Sequence, residues 1–219
     1  MKPYYQDDYV TLYHGDCLLV DAWLAADVLI TDPPYGIGWV KGENRAAGSH
    51  KNAGIRNDHD TSARDSALLL WGERPTVVFG SFRAPRPQNV IQTLVWKKPV
   101  DSGVVGSTTG YRTDTELIFL TGSHIKRPSS RSSVLESRGG VGRYRTEHPH
   151  TKPVPIIEQL MEWTAGTVAD PFSGSGSILV AARNLGRKAI GVELEERYCE
   201  IIADRLDQMC LNFLAGVLE

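Results

Sequence analysis

Residues 167–177 read TVADPFSGSGS, and the apolar stretch ILVAARNLG follows at 178–186. A short β-rich run, a turn containing Gly174 and Gly176, and a helical stretch form the start of a nucleotide-binding βαβ unit. The two glycines allow a sharp turn, and without a Cβ they let a ligand approach the backbone closely. A lone GxG also suits an ordinary tight turn, so the stretch alone is a weak indication of a ligand.

The residues around this turn make the indication stronger. A second β-rich run, 189–192, ends at Glu193, about twenty residues after the turn, where such folds place an acid that meets ribose hydroxyls. Asp170 stands directly before the turn, where its charge would repel a pyrophosphate. Neither GxGxxG nor GxxxxGK[ST] occurs. The pattern therefore favours a ligand with a cationic or amino-bearing part, and S-adenosylmethionine meets that description.

Similar β-rich runs recur along the chain, separated by stretches of helical or loop-like composition. Together they predict an α/β fold with a mostly parallel sheet covered on both faces. The seven runs are residues 10–13, 28–30, 76–79, 93–96, 117–120, 167–169 and 189–192. The helical stretches are 16–26, 61–72, 154–165, 177–186 and 195–214. The last one has the apolar spacing of a single buried face, formed by Tyr198, Ile201, Ile202, Leu206 and Met209.

Composition narrows the function classes. A chain of 219 residues with a formal net charge of -2 has no global attraction to nucleic acid or membrane, so any basic surface must be local. Three cysteines without a CxxC motif indicate free thiols, not a disulfide framework or a zinc site. The first ten residues contain no signal-peptide core, and no run is long enough to span a bilayer. We expect a cytoplasmic protein that uses no metal and does not associate with membranes.

A second conspicuous stretch is TDPPYG at 31–36, which follows a buried β-rich run. The two prolines fix their own φ angles and restrict the residue before each of them, so the segment is stiff. A stiff turn at the end of a strand suits a site that must hold a few polar atoms still. The alternative is an ordinary turn in which Asp32 caps a helix.

Two long segments interrupt the α/β pattern. Residues 36–60 are rich in Gly, Asn and charge, and residues 122–145 contain six basic residues and a single acid, Glu136. Structureless loops of this length in compact domains are usually functional or disordered. A charge run alone is more often a solvated loop than a binding element.

DPPY at 32–35 and DPFSGSG at 170–176, in this order, resemble the amino-group DNA methyltransferases that modify adenine N6 or cytosine N4. The resemblance is closest to the permuted β-class arrangement, in which the catalytic motif precedes the cofactor motif. Support comes from HGD at 14–16, IRND at 55–58 and HTKP at 150–153. The chain departs from the family in having Thr151 where a glutamine is usual, and in a short target-recognition region.

The resemblance implies a Rossmann-like methyltransferase fold of seven strands, one antiparallel, with a circularly permuted motif order. It implies one catalytic domain over 1–219, a mobile loop at 36–60 and a short target-recognition insert at 122–149. S-adenosyl-L-methionine is the implied cofactor and DNA the implied partner; the sequence leaves open a homodimer, the recognised bases and a paired restriction enzyme. The implied cofactor-binding residues are Asp16, Asp32, His150, Thr151, Lys152, Asp170, Phe172, Ser173, Gly174, Ser175, Gly176 and Glu193.

The chemistry of amine methylation explains the stiff turn. The exocyclic amine of a base is a poor nucleophile, because its lone pair is delocalised into the ring. Asp32 and the backbone carbonyl of Pro33 can accept its two protons, Pro34 helps to hold that carbonyl, and Tyr35 offers a ring on which the base stacks. The base must first leave the duplex. These four residues are the predicted catalytic set.

Several alternatives remain from the sequence. Cytosine N4 is the nearest rival to adenine N6, because its methylation uses the same turn with the same acceptors. Asp32 favours adenine, since the resemblance implies that the cytosine group more often begins the turn with Ser. A non-catalytic, cofactor-dependent DNA-binding module is a rival of another class. Carbon-5 methylation would need a cysteine nucleophile, and we interpret Cys17 as a core residue. The expected DNA contacts are Lys41, Arg45, Lys126, Arg127, Arg131, Arg138 and Arg143, with further cations at Lys51 and Arg145.

Overall fold

One mixed β-sheet forms the centre of the protein. The structure, a computed structural model, describes residues 1–38, 58–98, 111, 113–123, 131–136 and 151–216, with side chains in the last helix to residue 208. The strands are β1 (Tyr5–Gln6), β2 (Val10–His14), β3 (Val28–Thr31), β4 (Thr76–Gly80), β5 (Val90–Lys97), β6 (Thr115–Thr121), β7 (Val134–Glu136), β8 (Val168–Asp170) and β9 (Ala189–Glu193). The helices are α1 (Ser62–Trp71), α2 (Val154–Met161), α3 (Ser177–Asn184) and α4 (Glu196–Gly216), with a 3₁₀ turn at Ala22–Ala25.

The strand order is β1-β2-β9-β8-β3-β4-β6-β5-β7. Strands β2, β9, β8, β3 and β4 run parallel to one another, and β6 is antiparallel to both of its neighbours, β4 and β5. All seven predicted runs are strands, and β6 is the one antiparallel strand among them. The expected strand count was too low, because β1 and β7 also join the sheet edges. With two and three residues, these strands are too short to show an alternating pattern.

Four of the predicted helical stretches are confirmed as α1 to α4, each with somewhat different ends. The predicted helix at 16–26 is wrong, since only a 3₁₀ turn forms there. The Asp16 carboxylate accepts the Leu18 N–H at 2.9 Å, and such side-chain bonds compete with a helix. The indole N–H of Trp23 donates to the Cys17 carbonyl at 2.9 Å, which fixes the segment further.

Apolar residues cover both faces of the sheet, as predicted. Val28 and Ile30 pack with α2, α3 and α4 on one side, while Leu29 packs with Trp23 and α1 on the other. Ile202 and Leu206 form the buried face of α4, whereas the Met209 side chain lies outside the described residues. Among the helices that the structure describes, none combines the length and the apolar composition needed to cross a membrane.

The parallel part of the sheet places four acidic residues at one edge. Asp16, Asp32, Asp170 and Glu193 lie at or just after the carboxyl ends of β2, β3, β8 and β9, which are neighbours in the sheet. In open α/β sheets, ligands bind outside this edge.

Candidate active site

A cleft of about 410 Å³ opens at the carboxyl edge of the sheet. Its size is typical of a small-molecule site. The cleft is lined by most of the predicted site residues, namely Asp16, Asp32, Pro33, Pro34, Tyr35, Lys152, Asp170, Phe172, Ser173, Gly174, Ser175 and Glu193. Thr151 and Gly176 are not among the residues that line the cleft. His150 falls outside the described residues.

Asp170 ends β8 at the floor of the cleft. Its Oδ1 accepts the Thr31 hydroxyl at 2.8 Å and the Phe172 N–H at 3.3 Å. Its Oδ2 is buried and has no hydrogen-bond partner among the described residues. Burial, with smaller contributions from the Asp32 and Glu193 carboxylates, raises the pKa of Asp170 to about 8. The free oxygen suits a site whose ligand brings a positive charge, because such a ligand would favour the ionised form of Asp170.

Glu193 supports the glycine turn from the next strand. Its Oε2 accepts the Gly174 N–H at 2.7 Å, and its Oε1 accepts the Glu195 N–H at 2.8 Å. Burial raises the pKa of this carboxyl to about 6, although the backbone bonds oppose the shift. Gly174 has a φ of 50° and lines the cleft. The predicted ribose contact therefore comes from a residue that also fixes the turn.

Gly176 is required by helix packing. It has a φ of 78° at the N-terminus of α3, and a Cβ there would lie 2.8 Å from Ile202 Cγ1 of α4. Thr151 lies near the same turn, with its hydroxyl 3.2 Å from the Ser175 hydroxyl. Both residues therefore support the glycine turn that lines the cleft.

The DPPY turn presents Asp32 and Tyr35 to the cleft together. Asp32 Oδ1 accepts the Tyr35 O–H at 2.6 Å, and Asp32 Oδ2 lies 2.8 Å from Lys152 Nζ. Burial and the adjacent Asp32 carboxylate raise the pKa of Tyr35 well above its ordinary value. Residues 33–38, the described residues that follow Asp32, form no helix. Asp32 is therefore not a helix cap, and both of its oxygens are held in place.

Three partners of this turn were not anticipated from the sequence. Glu116 lies 3.2 Å from Lys152 Nζ and 2.7 Å from Lys98 Nζ. The buried Asp58 accepts the Gly36 N–H at 2.8 Å and so ties the end of the catalytic turn to the start of the next described segment. Only the positions of Lys98 and Glu116 could have indicated that they lie close together. Lys98 follows β5, and Glu116 is near the start of β6, which is the antiparallel neighbour of β5.

Cys17 lines the cleft but lacks the properties of a nucleophile. Cys17 is buried among apolar residues, and burial and Asp16 raise the pKa of its thiol to about 12. A thiol with this pKa is a poor nucleophile at neutral pH. Within the described part of the chain, no group of three His, Cys, Asp or Glu side chains could hold a metal ion.

Of the predicted DNA contacts, only Arg131 is described. It is exposed, pairs with Glu162 and lies 5.0 Å from the centre of the Trp163 ring. Lys41, Arg45, Lys126, Arg127, Arg138 and Arg143 lie outside the described residues, as do most of the 36–60 loop and the 122–149 insert. At the mouth of the cleft, the loop after β4 places an exposed aromatic side chain, Phe82, beside Arg83.

Comparisons with known proteins agree with this geometry. A family model described as DNA methylase, of the N6/N4 methyltransferase type, matches residues 55–204. YubD of Escherichia coli (strain K12), provisionally described as a methylase, is 31% identical over 194 residues, covering 84% of each chain. The type II methyltransferase M.ScaI of Streptomyces caespitosus is 26% identical over 257 residues, covering 94% of this chain and 84% of M.ScaI.

Solved structures show the same fold. M1.HpyAVI, in a complex with SAM, superposes with a TM-score of 0.58 at 21% identity, covering 90% of this chain and 99% of that one. The cytosine-N4-specific PvuII DNA methyltransferase gives a TM-score of 0.60 at 15% identity, covering 92% of this chain and 88% of that one. With the family model matching most of the chain, and with DPPY and DPFSGSG facing one cleft, the protein belongs to the amino-group DNA methyltransferases, the N6-adenine and N4-cytosine type.

Proposed function

We propose that the protein transfers a methyl group from S-adenosylmethionine to the exocyclic N6 of adenine in DNA. One observation carries this proposal above all others. Asp32 lines the same cleft as the glycine turn after β8, so an acceptor for an amine and a nucleotide-type binding turn share one cavity. Membership of the family supports DNA as the substrate.

The cleft has the groups that S-adenosylmethionine requires. Asp170 Oδ2 and Ser177 Oγ are buried, line the cleft and lack hydrogen-bond partners among the described residues, so both can receive polar ligand atoms. Asp16 and Glu193 supply further carboxylates at the same edge. When bound, S-adenosylmethionine supplies an electrophilic methyl group on a sulfonium. The solved structures of M1.HpyAVI and of TTHA0409 from Thermus thermophilus include complexes with this compound.

The chain's own residues prepare the amine. Tyr35 and Lys152 occupy two of the roughly four lone-pair positions of the Asp32 carboxylate, which leaves others for an amine proton. The Pro33 carbonyl can accept the second proton. Two acceptors favour a pyramidal nitrogen whose lone pair points at the methyl group, and Asp32 can receive the proton that leaves as the N–C bond forms. The Tyr35 ring gives the extruded base a stacking surface, worth about 1–3 kcal/mol per base.

The carboxylate at the head of the turn supports adenine, because the cytosine-N4 group to which the chain is also similar more often has Ser there. Cytosine N4 remains the second candidate, favoured by the similarity of the fold to the PvuII enzyme. A non-catalytic binding module is a weaker candidate, since both Asp32 and the Pro33 carbonyl are in place.

Nucleoside analysis tests the proposal. The purified protein is incubated with unmethylated DNA and S-adenosylmethionine, and the digested DNA is analysed by mass spectrometry. We expect N6-methyladenine. N4-methylcytosine as the sole product would overturn the adenine assignment and leave the Asp32 mechanism intact, whereas S-adenosylmethionine binding without any methylated base would support the binding module.

A further inference from the structure

Four charged side chains extend in a row from the cleft wall. Asp32 Oδ2 lies 2.8 Å from Lys152 Nζ, Lys152 Nζ lies 3.2 Å from Glu116 Oε2, and Glu116 Oε1 lies 2.7 Å from Lys98 Nζ. The four residues come from the turn after β3, the segment before α2, strand β6 and the position just after β5. The chemistry described above uses only the first two of them.

Lys152 is the buried link in this row. Its side chain is only 7% exposed, and its ammonium lies 5.4 Å from the Tyr35 ring centre and 5.3 Å from that of Phe79. Burial by itself lowers the pKa of Lys152, but the Asp32 and Glu116 carboxylates outweigh burial and raise it above its ordinary value. A buried cation of this kind depends on its partners, because losing one leaves charge uncompensated.

Glu116 fixes where that ammonium stands. Burial opposes ionisation of Glu116, yet Lys152 and Lys98 hold its pKa below the ordinary value. The ammonium of Lys152 lies within ion-pair distance of both the Glu116 and the Asp32 carboxylates, so two anions together fix its position. Without Glu116, the ammonium would be attracted by Asp32 alone and could follow that side chain when it moves.

We propose that Glu116 is a positioning residue for methyl transfer, acting through Lys152 to hold the Asp32 carboxylate in the orientation that accepts the amine proton. Lys98 completes the row by balancing the charge of Glu116. This inference rests on the proposed function, because it concerns the geometry of the same acceptor. Small displacements of reacting groups commonly cost about 100-fold in rate.

The test compares two Glu→Gln variants. Glu116→Gln removes the charge and keeps the shape. Glu158→Gln is the control, because Glu158 on α2 accepts an N–H from the Asn184 side chain at 2.7 Å and does not line the cleft. We expect single-turnover methyl transfer to fall about 10- to 100-fold in Glu116→Gln and to stay unchanged in the control. Dissociation constants for S-adenosylmethionine and DNA should stay within about twofold in both variants.

An unchanged transfer rate in Glu116→Gln would overturn the inference. A loss explained entirely by weaker S-adenosylmethionine or DNA binding would also overturn it, because Glu116 would then shape a binding site. Failure of the wild-type protein to methylate DNA is a separate result, and it would refute the proposed function.

Two further variants keep the test decisive if Glu116→Gln folds poorly. Glu116→Asp retains the charge with a shorter reach, so its transfer rate should lie between those of the wild type and Glu116→Gln. In a Lys152→Met background, Glu116→Gln should cause no additional loss of rate, because the link to Asp32 is already absent. Losses that multiply in the double variant would mean that Glu116 acts by another route.

Discussion

At the scale of single residues, Asp170 links the chemistry of the cleft to pH. Its pKa of about 8 in the protein without ligand means that it is mostly protonated at neutral pH. A ligand ammonium or sulfonium beside Asp170 favours the ionised form, so binding must release this proton below pH 8. S-adenosylmethionine should therefore bind more tightly as the pH rises from about 6 to 7.5, with less than a tenfold change per unit. Calorimetry across this range measures the slope.

Asp170→Asn is the comparison for this prediction. The amide keeps the shape and cannot titrate, so most of the slope should disappear, and a residual part near pH 6 should come from Glu193, whose pKa is raised to about 6. Equal slopes in the wild-type protein and the variant would show that Asp170 does not face the positive part of the ligand.

The same raised pKa also affects stability without ligand. An Asp that stays neutral in the folded protein but ionises in the unfolded chain lowers the free energy of unfolding as pH rises from about 4 to 8. Above pH 8 both states are ionised and the loss levels off. The free energy of unfolding, measured in urea at several pH values, should therefore fall more steeply with pH in the wild-type protein than in Asp170→Asn. The same pH dependence in both proteins would contradict the assigned shift.

Residues within contiguous motifs were predictable, and residues joined only by folding were not. Asp32, Tyr35 and Asp170 stand in short stretches whose composition indicates chemistry. Glu116 lies 84 positions after Asp32 by number, and its sequence surroundings are those of an ordinary strand. Its role in the row of charges becomes visible only when the antiparallel β6 brings its first residues to the carboxyl edge of the sheet.

At the scale of elements, the packing of α3 against α4 depends on Gly176. Gly176→Ala should lower the free energy of unfolding by about 2–4 kcal/mol, since it combines a left-handed backbone with a Cβ 2.8 Å from Ile202. Gly186→Ala is the control, because its φ is 65° but no atom lies within 4 Å of the added Cβ. That variant should lose only about 1–2 kcal/mol. Equal losses in urea unfolding would contradict the packing role of Gly176.

The loop after β4 carries an aromatic side chain that we expect to contact DNA. Phe82 is 64% exposed at the mouth of the cleft beside Arg83, where it can stack on a base. Phe82→Ala should weaken DNA binding by about 1–3 kcal/mol without changing S-adenosylmethionine affinity. Ile91→Ala on β5 is the control, because Ile91 is similarly exposed but is not part of the cleft wall. Equal DNA affinity of the two variants would exclude Phe82 as a contact.

Elements with a strong periodic pattern were predicted well, and short or locally bonded ones were not. The buried parallel strands and α4 carry enough apolar residues to fix their type. The segment at 16–26 has apolar residues but folds as turns, because Asp16 bonds the backbone that a helix would need. The edge strands β1 and β7 are set by pairing with their neighbours, which the local sequence does not specify.

At the scale of the whole molecule, the topology of the sheet gathers acidic side chains at its carboxyl edge. A net charge of -2 gives no general attraction to DNA, and the residues that line the cleft include seven Asp and Glu residues. DNA must therefore be attracted by local cations, and we propose the basic segment around 122–145 for this purpose. On this proposal the basic segment would attract DNA, and the acidic cleft would take the cationic cofactor and the base amine.

Single-turnover methyl transfer by the wild-type protein and Asp32→Ala tests the central claim most directly. The alanine removes one amine acceptor, while Lys152 retains Glu116 as its partner. With labelled S-adenosylmethionine, the wild-type protein should transfer the methyl group to DNA, and the variant should do so at least about 100-fold more slowly. Calorimetry should find cofactor affinities that agree within about threefold. Transfer by Asp32→Ala within about tenfold of the wild-type rate would contradict the account, because Asp32 would then not be the acceptor that activates the amine.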